Sequence, residues 1–114
     1  SGWFDQGGGD FSSLHNYFFG LFIRPERKRA SALSEYGGYS YPVSGHTACE
    51  KQYGYGACKT REELNKRCTE RADKMRELIP EGFCASVYTQ WSDIEEEVNG
   101  VYTYDRKIRK IDRV

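Results

Sequence analysis

Residues 29–36 read Arg29-Ala30-Ser31-Ala32-Leu33-Ser34-Glu35-Tyr36, and Gly37 and Gly38 end the run. The stretch is small and apolar up to a single carboxylate. A strand of a parallel sheet, covered on both faces, has this texture, and a barrel strand that delivers a functional residue at its C-terminal end looks the same. Glu35 is therefore the carboxylate to follow, because it would stand at the mouth of a parallel sheet, the face on which such sites are built. A solvated Glu at a strand end is the plain alternative.

Beyond it, Tyr39 to Lys59 forms a long loop rich in Gly, Tyr and Ser. Loops of about twenty residues without structure of their own are uncommon in compact domains and often functional. The spacing then predicts a helix over 61–79. Thr60 suits the N-cap, Glu63 completes a capping box and Glu62 suits the positive end of the dipole. Leu64, Cys68, Ala72, Met75 and Ile79 make one apolar stripe, and Pro80 and Gly82 stop it. Phe83 to Tyr88 reads as another buried strand. Residues 29–88 thus form a βαβ unit, whose strands should be parallel and whose crossover should be right-handed.

On the N-terminal side, residues 12–19 (Ser12 to Phe19) form an aromatic run bounded by Asp10 and Gly20, the pattern of a buried strand. Gly20 to Lys28, with Pro25 and clustered charge, reads as a surface connection. Residues 1–10 read as the end of a strand running into a loop. An acidic loop follows Trp91, and residues 100–114 alternate in a way that permits a short strand or hairpin arm.

The expected architecture is α/β, a partial (half) TIM barrel: about three parallel strands near 12–18, 29–35 and 83–89, with one long helix at 61–79. A complete (β/α)8 barrel needs about 250 residues, with about 200 as a floor, so the 114 residues are expected to form a single partial domain. Hydrophobic residues make up 38% and aromatics 15%, with nine Tyr, six Phe and two Trp. That composition suits sites and surfaces better than a large self-sufficient core.

Seventeen basic residues balance seventeen acidic ones, so the whole-molecule field gives no case for nucleic acid or an anionic membrane. The basic runs at 24–29 and 106–113 and the acidic run at 93–97 read as solvated loop charge. Cys49, Cys58, Cys68 and Cys84 form no C-x-x-C pair and are not spaced with His15 and His46 as zinc ligands would be, so neither a metal nor a cofactor is expected. Cys68 and Cys84 fall on apolar positions and read as small buried hydrophobes, which leaves the redox compartment open. No apolar run approaches 18 residues and no basic-then-apolar leader opens the chain; localisation stays open beyond that.

Ala32-Leu33-Ser34-Glu35-Tyr36-Gly37-Gly38-Tyr39 resembles the segment of family-two glycoside hydrolases, the β-galactosidase and β-glucuronidase group, in which the Glu ending the seventh barrel strand is the nucleophile. Ser86-Val87-Tyr88-Thr89-Gln90, followed by Asp93-Ile94-Glu95 and Glu97-Val98-Asn99-Gly100, is similar to that family's eighth strand and following loop. Ser1-Gly2-Trp3 and Leu14-His15-Asn16-Tyr17 resemble the end of the fifth strand and the sixth strand. The resemblance spans nearly the whole chain in order. It implies Glu35 as nucleophile and Tyr17 as the hydrogen-bond donor that favours its ionised form. It places His15, Tyr88, Gln90 and Trp91 around a sugar, where aromatic faces stack on CH surfaces and amides meet hydroxyls. A β-glycoside is the implied partner.

A retaining glycosidase needs a second carboxyl about 5 Å from the first. The family carries that acid/base Glu in an Asn-Glu segment of the fourth strand, and no Asn-Glu pair occurs here. Glu81, Asp93 and the Glu95-Glu96-Glu97 run read as turn or loop carboxylates with no apolar setting to raise a pKa. The resemblance therefore implies a piece of a retaining β-glycosidase that is inactive alone. The alternatives are a non-catalytic carbohydrate-binding module, or a half-barrel completed by self-association. Open strand edges make a homo-oligomer the expected state.

Overall fold

The computed structural model describes residues 2–18 and 20–112. It is mixed α/β, with one parallel three-stranded sheet and one helix. The strands are β1 (Phe11–Asn16), β2 (Ala30–Gly37), β3 (Tyr39–Ser40), β4 (Gly56–Ala57) and β5 (Phe83–Thr89). The helix, α1, spans Arg61–Leu78 and is extended by a single 3-10 turn over Ile79–Glu81. The sheet order is β1-β2-β5, with both neighbours parallel to β2. The stretch containing Glu35 is thus the central strand, and the three expected strands pair in chain order.

α1 begins as its sequence dictates. Thr60 Oγ1 accepts the Glu63 N–H at 3.1 Å, and the Glu63 carboxylate reaches back to the Lys59 N–H at 2.8 Å. Leu64, Cys68 and Met75 are buried from the stripe. Met75 packs with Leu14 of β1 and Leu33 of β2, while Leu64 and Cys68 join Cys58 and Ile111. Burying a Leu or Met side chain stabilises by about 1.5–3 kcal/mol, so these contacts fix the helix on one face of the sheet.

Several expectations need correction. Ile79 is 58% exposed, because the helix gives way to the 3-10 turn before the stripe reaches it. β5 is exposed from Cys84 to Val87, since it is an edge strand with no element over much of its surface; Cys84 is accordingly exposed rather than a core thiol. The loop after β2 has structure of its own, a short parallel pairing of β3 with β4. Residues 2–10 contain no strand. Residues 100–112 form no regular strand, only bridges such as Tyr102 with Arg109. Ser1, Phe19, Arg113 and Val114, which belong to the expected strand end, aromatic run and terminal arm, lie outside the described residues.

The segment 92–112 wraps back onto its own chain. Arg61 and Asn65 of α1 both donate to the Lys110 carbonyl, at 3.1 and 3.0 Å, and Ile111 enters the core. The segment is therefore built into the fold rather than a loose arm. The Thr89–Gln90 peptide that leads into it is cis. Among the described residues, no helix is long and apolar enough to cross a membrane.

Candidate active site

β2 carries a bulge immediately before its end. Leu14 and His15 are consecutive on β1 but pair with Leu33 and Glu35. On the other side, Ser86 and Tyr88 pair with Leu33 and Tyr36. Both neighbours therefore see one extra residue on β2 between Leu33 and Tyr36. Leu33 and Tyr36 pack on the helix side, whereas Ser34 meets the Ser13 hydroxyl at 2.6 Å and Glu35 meets His15 of β1 and Tyr17 just beyond it. Bulges of this kind re-aim side chains and recur beside active sites.

Glu35 emerges with its side chain 43% exposed. The Tyr17 hydroxyl, just past the end of β1, donates to Oε2 at 2.7 Å. His15 Nδ1 lies 3.3 Å from the same oxygen, near enough for a charge interaction but not aligned as a hydrogen bond. Burial pushes the Tyr17 hydroxyl well above the ordinary tyrosine range; Thr89 pulls the other way, and the bond to Glu35 adds to the rise. Tyr17 thus stays a donor at any ordinary pH. His15, Tyr17 and Glu35, named from sequence, come together at one strand end.

Aromatic rings surround them. Trp3 stands edge-on to His15 at 5.5 Å and 6.3 Å from Tyr17, and is 53% exposed. Tyr55, from the loop after β2, stacks on Tyr17 with centroids 3.9 Å apart. Gly37 and Gly38 have φ of +92° and +65°, a region that glycine enters without penalty. A Cβ at Gly37 would fall 2.2 Å from the Tyr88 ring, and one at Gly38 would fall 2.5 Å from Tyr55 and 3.0 Å from Tyr17.

The other residues that the resemblance puts around a sugar have contacts of their own. Tyr88 packs on the helix side, against Tyr36 and the cluster containing Cys68, where it lines a cavity of about 210 Å3. The Gln90 amide donates to Glu97 at 3.0 Å and to the Asn99 side chain at 2.8 Å. Trp91 is 69% exposed, with its ring 5.2 Å from that of Tyr102.

Asp93 departs from the sequence reading. It is 3% exposed and burial pushes its carboxyl up, so it does have an enclosed setting; its Oδ1, however, is bound by the Lys110 ammonium at 2.6 Å and the Gly100 N–H at 2.7 Å. Glu81, Glu95 and Glu96 are exposed. The residues that sequence reasoning gave no role are Trp3, Tyr55 and Lys110. The alternation Tyr53-Gly54-Tyr55-Gly56 was a usable signal for Tyr55, since period-two patterning marks extended backbone.

No group of three or more His, Cys, Asp or Glu placed to hold a metal ion occurs among the described residues. No protein-family model matches the chain, and no curated protein matches it. The class of site is a strand-end carboxylate held by a tyrosine and set among aromatic rings.

Proposed function

We propose that the chain is an arc of a (β/α)8 barrel from a retaining β-glycosidase, with Glu35 as the nucleophile. The observation that carries this reading is the Tyr17 hydroxyl on Glu35 Oε2 at 2.7 Å, at the C-terminal end of the central parallel strand. A half-exposed carboxylate fixed by a donor that keeps its proton is suited to attack on an anomeric carbon. Three parallel strands in chain order, and a bulge that aims Glu35, also favour it.

In the first step a Glu35 oxygen bonds to the anomeric carbon as the bond to the leaving oxygen breaks; water then cleaves the glycosyl ester. His15 flanks the attacking carboxylate, and the Trp3 face is the ring best placed to stack on sugar CH groups. Leaving-group protonation falls to a carboxyl other than Asp93, which Lys110 holds. Ordinary aryl β-glycosides are therefore expected to show no turnover with this chain, because general acid catalysis is worth about 10² to 10⁴-fold.

The test uses dinitrophenyl 2-deoxy-2-fluoro-β-glycosides of the gluco, galacto and glucurono series, whose leaving group departs without a proton. The expected result is one covalent adduct on the Glu35 peptide, absent in Glu35→Gln. No adduct across the panel, or an adduct elsewhere, overturns the reading. Turnover of ordinary aryl β-glycosides that Glu35→Gln abolishes points instead to a site completed by self-association. A second reading, carbohydrate binding without catalysis, draws on the exposed Trp3 ring beside His15 and Tyr17; sugar binding retained in Glu35→Gln, without labelling of the unmodified chain, selects it.

A further inference from the structure

The connection between β2 and α1 brings Tyr55 back over the site, and its backbone is tied on several sides. The Tyr55 N–H donates to the Gly38 carbonyl at 2.9 Å, and the Cys58 N–H donates to Ser40 at 2.8 Å. Two residues earlier, the Tyr53 N–H donates to Glu96 at 2.7 Å and the Tyr53 carbonyl accepts from Val98 at 3.0 Å. The ring is braced as well, by Tyr53 edge-on at 5.5 Å and Phe18 edge-on at 5.4 Å. On this mounting Tyr55 lies parallel to Tyr17, with 12° between the ring planes. For the Tyr17 hydroxyl to leave Glu35, its ring must swing about χ1, because rotation about χ2 turns the ring on an axis through the hydroxyl oxygen, and a fixed ring stacked on one face blocks the swing to that side. Gly38 supplies the room, since any side chain there would enter the space the two rings fill.

We infer that Tyr55 is a positioning residue, which locks the Tyr17 ring and through it the carboxylate of Glu35. The inference rests on the reading of Glu35 as nucleophile. Tyr55 acts by narrowing the range of orientations from which Glu35 attacks, a kind of control in which a displacement of about 1 Å costs on the order of 10²-fold.

The experiment compares Tyr55→Leu, which removes the stacked plane, with Tyr55→Phe, which keeps it. One readout is the ionisation of Tyr17, followed by NMR with ring-labelled tyrosine and assigned with Tyr17→Phe. The other is the rate of Glu35 labelling by the fluoroglycosides. Tyr55→Leu is expected to bring Tyr17 ionisation down toward the ordinary value of 10 and to slow labelling about tenfold. Tyr55→Phe is expected to preserve both. Unchanged Tyr17 ionisation in Tyr55→Leu overturns the proposal, and so does changed ionisation with an unchanged labelling rate, since Tyr55 would then only pack. If the unmodified chain is not labelled, the nucleophile reading fails and the positioning inference falls with it, whereas a labelled unmodified chain with no change in Tyr55→Leu overturns the positioning role alone. Should Tyr55→Leu lose its circular dichroism, Tyr55→Met, whose flexible side chain fills irregular gaps, is read by the same two measurements.

Discussion

Lys110 has no exposed side-chain surface, and its ammonium donates to Asp93 Oδ1 at 2.6 Å, the Val98 carbonyl at 2.9 Å and the Tyr41 carbonyl at 3.1 Å. Three donors thus meet three acceptors. Burial lowers the Lys110 pKa and raises that of Asp93, and their pairing opposes both shifts. Removing one member leaves the other charge buried without its partner, which costs about 3–5 kcal/mol, whereas replacing both with apolar groups is often neutral. Lys110→Met is accordingly expected to lower the urea midpoint sharply, and Asp93→Leu combined with Lys110→Met to recover much of the loss. A Lys110→Met chain within about 1 kcal/mol of the unmodified one would contradict this account. Sequence gave no notice of this cage: Lys110 sits in a basic run that reads as solvated charge, and its acceptors come from positions 41, 93 and 98, which only tertiary folding brings together. Glu35 could be singled out because it ends a strand whose own pattern is plain, whereas Tyr17 was named only through the family resemblance.

α1 and β2 were the elements most legible from sequence, since a capped stripe and an apolar run ending in two glycines are local signals. The exposure of β5 was not legible, because its apolar composition does not reveal whether another element covers it. The bulge in β2 also escaped notice, as both of its neighbouring pairings lie far away in sequence. The helix start gives a direct test. Thr60→Ala removes an N-cap and is expected to cost about 1 kcal/mol in chemical denaturation; a change below about 0.3 kcal/mol would show that the cap is redundant. The same turn predicts an acid limb. Backbone hydrogen bonds hold the Glu62 and Glu63 carboxyls below the ordinary 4.5, so the folded state binds these protons less readily than the unfolded one. Their contribution is therefore full above pH about 4.5 and is lost as pH falls through the folded values. Midpoints measured from pH 6 down to 3 should decline, and the replacement of both by Gln should flatten the decline.

The whole molecule is elongated, with extents of 49 × 26 × 21 Å and a radius of gyration of 15.2 Å, against roughly 13 Å for a compact domain of this length. Among the described residues its sheet ends in β1 on one side and β5 on the other, each with β2 as its one strand partner, although the His15 N–H of β1 also donates to the Gly2 carbonyl at 3.0 Å. Unpaired strand edges template pairing with another chain, and Val87 is 57% exposed on one of them. Sedimentation at micromolar concentration is expected to show reversible self-association, weakened by Val87→Lys; a monomer unchanged by concentration would count against it. The glycine pair behind Glu35 matters at this scale too. At Gly37 and Gly38 the wall between the helix layer and the site is one backbone thick, with Tyr88 against one side and the Tyr17–Tyr55 stack against the other. With no side chain there to cushion it, close packing on one side bears on the other: bulk that shifts Tyr88, such as an adduct on the neighbouring Cys68 thiol, is expected to displace the strand and with it the Tyr17 ring that holds Glu35.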